Sequence, residues 1–184
     1  MIKIYIEKIC DLGFSEVANS KSGTTQSAAA QIAVAQSEAA KKLLRNALSA
    51  DFGIVGELAF TQGRHGKPYL VAPWFNVSHS DEYVACVVSD ECEVGIDIQQ
   101  VVPARMRVAE RVFTPQQVAE LDALDGAARD ERFCELWVLR EAEIKARGGS
   151  VLEALHSDGR TATTGTARLV DAPYGYRAAV AERA

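Results

Sequence analysis

A chain of 184 residues, 48% of them apolar, suffices for one core or for two small lobes sharing an interface. Its net charge of −5 argues against general nucleic-acid binding, while leaving room for a local basic patch that meets an anionic ligand. Nothing approaches the roughly 18 consecutive apolar residues that a membrane-spanning helix needs.

Met1 to Lys8 alternates like a strand and lacks the contiguous apolar region of a signal peptide. Cys10, Cys86, Cys92 and Cys134 include no close pair of metal-ligand spacing, so the expectation is buried free thiols in a reducing cytoplasm. Ser20 to Thr25 is small and polar, a loop signal. From Ser27 to Ala50 the chain is rich in alanine, with Ile32, Ala39, Leu43 and Ala47 near one face and Lys41 and Arg45 on another. That pattern predicts one helix, with Ser37 as the place where it would break, ended by Asp51-Phe52-Gly53. Ile54 to Phe60 reads as a strand, and Gln62 to Leu70 as a Gly/Pro turn feeding a short extended piece.

Two further strands are predicted at Trp74–Ser78 and Tyr83–Val88, connected by the polar Ser78 to Glu82, with a second turn at Ser89 to Cys92. Val94 to Gln99 alternates again, its apolar members pointing opposite to Asp97, and Pro103 closes the strand. Ala104 to Phe113 is a basic amphipathic helix. Thr114-Pro115-Gln116-Gln117 opens another, with threonine as cap, proline at the first helical position and glutamine three residues after the cap; it ends near Asp125-Gly126. The stretch Phe133 to Arg147 follows, with Phe133, Leu136, Trp137 and Ile144 on one stripe and Gly148-Gly149 as its stop. Weak strand signals at Thr161–Val170 and Tyr174–Val180 complete the chain. Sheet alternating with helix through hairpin-like turns predicts an α+β fold rather than a doubly wound parallel sheet.

Chemistry concentrates in two of these elements. Asp97 lies in a strand that otherwise reads as buried, and a buried carboxylate needs a partner. Arg140 or Lys145 would make it a structural ion pair; alternatively, Asp97 and Glu141 converge on a divalent cation, for which Mg2+ and its preference for a few oxygen ligands shared with phosphate and water is the fitting choice. Glu141 and Lys145 stand at i and i+4, one turn beyond Trp137, and so point the same way beside the apolar stripe. Ser78-His79-Ser80 offers hydroxyl, imidazole and backbone groups to a phosphate, or simple turn chemistry, the better account for Ser80. There is no Gly-x-Ser-x-Gly elbow for a nucleophilic serine, and Gly66-Lys67-Pro68 lacks the other glycines of a P-loop.

Order and spacing carry more than any one piece. Asn76-Val77-Ser78-His79-Ser80, then Val94-Gly95-Ile96-Asp97-Ile98, then Leu136-Trp137-Val138-Leu139-Arg140-Glu141-Ala142-Glu143-Ile144-Lys145, with Gly66-Lys67-Pro68 upstream, resembles the 4′-phosphopantetheinyl transferases of the larger, single-chain type. The resemblance covers about Gly63 to Gly149. It implies two similar α/β halves, residues 1–93 and 94–184, related by a pseudo-twofold axis, with the co-substrate coenzyme A in the cleft between them. It implies that Asp97 and Glu141 bind the metal, that Lys145 contacts the pyrophosphate, and that Ser78 and His79 hold coenzyme A phosphates. Lys67 and Pro68 match the turn that lines the adenine pocket, and Lys41 an arginine that reaches the 3′-phosphate. Arg140 stands where lysine is common, and Gln99 where the family often has a second carboxylate, so Gln99 would offer the metal a neutral oxygen. The N-terminal half is short for the family, which bears most on the 3′-phosphate contacts.

The implied reaction is attack by a serine of an acyl or peptidyl carrier protein on the pantetheine phosphate, with adenosine 3′,5′-bisphosphate leaving. Glu141 is the expected proton acceptor, and the metal and Lys145 the stabilisers of the growing charge. Arg107 and Arg111 stand one turn apart with Val108 and Val112 beside them, a strip suited to an acidic carrier helix, with Arg105 displaced from that strip. The pattern implies a cytoplasmic monomer with no nucleic-acid or membrane partner. Two competing readings are a non-catalytic module of the same fold that binds coenzyme A or a carrier protein, and a structural domain in which Asp97, Glu141 and Lys145 form only an ion-pair network.

Overall fold

Ile2–Lys8 alternates its side chains between two faces and forms strand β1. The computed structural model describes residues 1–14, 25–56, 61–62, 68–69, 72–149 and 166–183. Helix α1, Thr25–Phe52, runs unbroken through Ser37. A solvent-facing serine among alanines costs a helix only about half a kcal/mol, too little to interrupt it. Its later turns bury Ala39, Ala40, Leu43, Leu44, Ala47 and Leu48, the helical spacing of one packed face. The strand expected from Ile54 does not begin there. Gly53 and Gly56 both take positive φ and turn the chain, and the Ile54 N–H returns to the Leu48 carbonyl at 3.1 Å. Residues 57–60 of that expected strand lie outside the described residues. Thr61–Gln62 (β2) and Pro68–Tyr69 (β3) form a short antiparallel pair.

Trp74–Ser80 (β4) and Tyr83–Ser89 (β5) make a hairpin whose first strand runs to Ser80 instead of Ser78. The connection therefore shrinks to Asp81-Glu82, with Asp81 at φ 49°, the left-handed conformation that tight hairpin turns call for and aspartate tolerates. Glu93–Gln100 is β6, followed by helices α2 (Met106–Val112), α3 (Pro115–Asp122) and α4 (Gly126–Ala146). The capping box read at Thr114 is present: its hydroxyl accepts from the Gln117 N–H at 3.3 Å, and the Gln117 side chain accepts from the Thr114 N–H at 3.0 Å. Strands β7 (Ala167–Val170) and β8 (Tyr176–Arg183) complete the described chain.

Three of the four residues of the expected apolar stripe of α4 pack together, while Ile144 is only half-buried and a second, unexpected face meets the sheet. Phe133, Leu136 and Trp137 pack against Ala109, Val112, Phe113 and Leu121 of the α2–α3 region. The face laid on the sheet is Val138, Ala142 and Ala146, against Ala179 and Ala181 of β8. Small side chains on both surfaces let helix and sheet approach closely.

The same strand order occurs twice among the described residues. In each sheet the first strand pairs antiparallel with the last, giving the orders β1-β5-β4 and β6-β8-β7, although α1 and the β2–β3 pair intervene in the first half and three helices in the second. Helix α1 covers the outer face of the first sheet and α4 that of the second. The inner faces meet in one core, where Ile4, Ala85 and Val87 pack with Ile96, Ile98, Ala178 and Val180. The edge strands β4 and β6 lie side by side without a backbone ladder. Every second side chain of β4 instead receives an N–H of β6: Asn76 Oδ1 from Ile96 at 2.9 Å, Ser78 Oγ from Ile98 at 3.4 Å, and Ser80 Oγ from Gln100 at 3.0 Å. Each such bond contributes about 1 kcal/mol net, and together they fix the register of one half against the other.

Candidate active site

The site forms where β6 passes under α4. A β-carbon at Gly95 would fall 2.1 Å from the Ala142 carbonyl oxygen and 2.4 Å from the Ala146 nitrogen, so only glycine allows the helix to lie this close. Strand and helix run in opposite directions, so the residues following Gly95 on the same face meet earlier turns of α4. Asp97 is next and Gln99 after it, while Val94, Ile96 and Ile98 fill the inter-sheet core, as the alternation predicts.

Asp97 is 5% exposed and does not stand alone. The Lys145 ammonium donates to its Oδ1 at 2.6 Å, and the Ser78 hydroxyl donates to the same oxygen at 2.8 Å. Lys145 also donates to Ser78 Oγ at 2.9 Å. Of the two ion-pair partners considered for Asp97, Lys145 is the one in contact. Glu141, one turn before Lys145, has its pKa pushed up to about 7. Desolvation is the larger cause, repulsion by Asp97 adds to it, and Lys145 opposes both. Among the described residues the site thus sets two carboxylates that repel each other beside the Lys145 ammonium.

No group of three or more His, Cys, Asp or Glu poised to hold a metal occurs among the described residues. The donor set still fits Mg2+, which takes one or two carboxylates together with substrate phosphate and water rather than a complete protein cage. Gln99 shares the face of Asp97, and its amide nitrogen donates to the Gln100 carbonyl at 3.2 Å. It also lines a cavity of about 300 Å³ with Val102, Arg105, Val108, Phe133, Cys134 and Trp137, next to the carboxylates.

The other expected site residues are dispersed. His79 follows Ser78 in β4, so its side chain projects from the opposite face, the one whose Phe75 and Val77 pack on α1. Its pKa is lowered, first by desolvation and then by Lys145, with Asp97 acting the other way. Lys41 lies on the exposed side of α1, paired with Glu38 at 2.6 Å. Lys67 is outside the described residues, and Pro68 opens β3. Arg140 is buried on α4, where desolvation lowers its pKa with Glu143 opposing. Arg107 and Arg111 are exposed on α2, whereas Arg105 is the N-cap of that helix and borders the cavity.

The expectation that all four cysteines are buried holds for two of them. Cys86 and Cys134 are buried and pushed up to about 12 by desolvation, whereas Cys10 is exposed and Cys92 half-buried. Sequence reasoning missed Asn76 as a link to β6 and took Ser80 for turn chemistry. The signal was present, since Asn76, Ser78 and Ser80 recur with period two on a strand whose neighbours are apolar. It also missed Asp81. Its carboxylate accepts from the Tyr176 hydroxyl at 3.0 Å and from the Gln100 amide at 3.2 Å, tying the β4–β5 turn to the second half.

Residues 93–180, which contain Asp97, Glu141 and Lys145, match the sequence model of the 4′-phosphopantetheinyl transferase superfamily. The chain is 40% identical to the 4′-phosphopantetheinyl transferase AcpT of Escherichia coli over 101 residues, 52% of each protein. It is 40% identical over 107 residues to a Synechocystis sp. protein described as a candidate 4′-phosphopantetheinyl transferase, covering 54% of this chain and 44% of that one. With the 4′-phosphopantetheinyl transferase Sfp of Bacillus subtilis the identity is 30% over 129 residues, 64% of this chain and 57% of the relative. Residues 93–180 are thus similar to the 4′-phosphopantetheinyl transferase superfamily. The chain spans about half the length of the curated relatives it matches. No helix among the described residues is long and apolar enough to cross a membrane.

Proposed function

We propose that the chain transfers the 4′-phosphopantetheine group of coenzyme A to a serine of an apo acyl or peptidyl carrier protein, in a Mg2+-dependent reaction that releases adenosine 3′,5′-bisphosphate. The observation that carries this reading is the meeting of Asp97, Lys145 and Glu141 between β6 and α4, inside the stretch that matches the family. The repeated strand order of the sheets in the halves 1–93 and 94–184 supports a pseudo-twofold relation between them, with coenzyme A lying across the seam.

Asp97 and Glu141 would hold the metal ion, with Gln99 beside them as a neutral oxygen donor. When bound, the ion supplies positive charge to the pyrophosphate oxygens. The serine hydroxyl forms a new bond to the pantetheine phosphorus as the bond to the leaving adenosine 3′,5′-bisphosphate breaks. Glu141, directly or through a metal-bound water, is the group placed to accept the serine proton. Lys145 is oriented by Asp97 and Ser78 toward the charge that builds on the leaving group. Ser78, His79 and Lys41 would meet the coenzyme A phosphates, Lys67 and Pro68 would line the adenine pocket, and Arg140 would be a further contact to coenzyme A. Arg107 and Arg111 would receive an acidic carrier helix.

The test is incubation with apo carrier protein, coenzyme A and Mg2+, followed by intact-mass measurement of the carrier. A gain of one phosphopantetheine is expected, abolished by Asp97→Ala and by Glu141→Ala. Tight binding of coenzyme A with no mass gain on any carrier offered would make the protein a binding module instead.

A further inference from the structure

We propose that Asp81 and Tyr176 are positioning residues for coenzyme A binding: their contact across the seam between the halves fixes the end of β4 that carries His79. The proposal rests on the transferase reading above. The β4–β5 turn consists of Asp81 and Glu82, and its polar groups divide by direction. Its carbonyls look into the first half, where Asp81 accepts from the Gln36 amide of α1 at 3.1 Å and Glu82 from the Ile9 N–H at 2.8 Å. The Asp81 carboxylate looks across to the second half. Its Oδ2 accepts from the Tyr176 hydroxyl at 3.0 Å and from the Gln100 amide at 3.2 Å. The same hydroxyl takes a backbone hydrogen bond from Glu82, so one phenol holds both residues of the turn.

Tyr176 is a fixed point for this purpose. It opens β8, is buried in the core between the sheets, and sets its ring edge-on to that of Tyr83 at 4.8 Å. Before the turn, the last tie from β4 to β6 is the single bond from the Gln100 N–H to Ser80 Oγ at 3.0 Å. One hydrogen bond acts as a pivot and leaves the strand end free to rotate. The Asp81 carboxylate, one residue further on, adds a second anchor and removes that freedom. Asp81 stands at φ 49°, so rotation of the turn would break its bonds to Tyr176 and Gln100 together. His79 lies two residues before Asp81 and feels the charges of Lys145 and Asp97, which puts it within reach of the site. Its placement relative to β6 and α4 is what the contact with Tyr176 secures.

The experiment uses the full chain as wild type, Tyr176→Phe, Asp81→Gly, His79→Ala and the Tyr176→Phe/His79→Ala pair. Tyr176→Phe removes the hydroxyl and keeps the ring; Asp81→Gly removes the carboxylate and keeps the left-handed turn. Calorimetry gives affinity for coenzyme A, and holo-carrier formation gives kcat and KM. Nuclear magnetic resonance of the ligand-free protein reports the His79 ring, whose signals are those missing from His79→Ala. Tyr176→Phe and Asp81→Gly should each weaken coenzyme A about fivefold, the equivalent of one lost hydrogen bond, with kcat at saturation within about twofold of wild type. The His79 ring signals should shift in both. Tyr176→Phe should weaken coenzyme A no further in a protein that already carries His79→Ala, because its effect passes through that ring. Should Tyr176→Phe fail to fold, Asp81→Gly, at an exposed position, decides by the same measurements. Unchanged coenzyme A affinity, unmoved His79 signals, a fall in kcat alone, or a full additional loss on top of His79→Ala would each overturn the proposal. Shifted His79 signals and a non-additive loss of affinity, in a protein whose wild type modifies no carrier, would uphold the contact's role and sink the transferase reading. Transfer by the wild type with affinity unmoved by either substitution would do the reverse, and a wild type that binds no coenzyme A would overturn both.

Discussion

Gly95 of β6 and Ala142 of α4 are in direct backbone contact: a β-carbon on the first would fall 2.1 Å from the carbonyl oxygen of the second. The glycine is therefore a spacer that sets the distance between strand and helix, and with it the distance between Asp97 and Lys145. Gly95→Ala should push α4 outward, with a cost of about 3 kcal/mol from overpacking. Transfer activity should fall further than stability does, because the Asp97–Lys145 contact opens. Urea denaturation and the carrier assay on the same preparation check this. A variant as stable and active as wild type would mean that the helix approaches less closely than described.

The Asp97–Lys145 pair is buried on one side and only 24% exposed on the other. A double-mutant cycle with Asp97→Ala and Lys145→Met should give a coupling of about 2 kcal/mol in denaturant unfolding. Asp97→Ala alone should be the costlier single change, since it strands both Lys145 and Ser78. A coupling below about 0.5 kcal/mol would place the pair with ordinary surface bridges.

The raised pKa of Glu141 has a definite sign in stability. Its folded value of about 7 lies above the ordinary 4.5, so the native state holds an extra proton between the two. The associated stability is complete below pH 4.5 and is lost as pH rises through 7. Relative to Glu141→Gln, the metal-free wild type should lose on the order of 3 kcal/mol between pH 4.5 and pH 8. Denaturant midpoints at several pH values, measured for both proteins in chelator, test this. A difference that does not vary with pH would show that Glu141 titrates normally.

Gln99→Glu places a third carboxylate on the face of β6 that already carries Asp97. Mg2+ should bind roughly tenfold more tightly by calorimetry, because a negative charge is added beside the ion. Unchanged or weaker binding would show that the side chain at 99 faces only the cavity it lines with Arg105 and Trp137.

Charge reversal of Arg107 and Arg111 together should raise KM for the carrier about tenfold at low salt and less at high salt, with coenzyme A affinity unchanged. Both side chains are exposed on α2 and away from the buried carboxylates. If carrier kinetics are untouched, the docking surface lies elsewhere.

What the sequence alone determined follows from short-range rules. Period-two alternation located β1, β4, β5 and β6, helical spacing and capping located α1, α3 and the core of α4, and the Gly-x-Asp and Glu-x-x-x-Lys spacings singled out Asp97, Glu141 and Lys145. These properties depend on neighbours along the chain, so they can be read in order. The tertiary structure alone decided which partner Asp97 takes, because Arg140 and Lys145 are equally plausible by charge and differ only in the face of α4 they occupy. It decided that the glycine of Gly-x-Asp serves the packing of a helix forty-seven residues further on, at Ala142. It also decided that three polar side chains of β4 satisfy the open edge of β6. Each of these is a contact between segments far apart in the chain, fixed by which sheet faces pack together and by which buried N–H or carboxylate must then find a partner. That requirement acts only once the two halves meet.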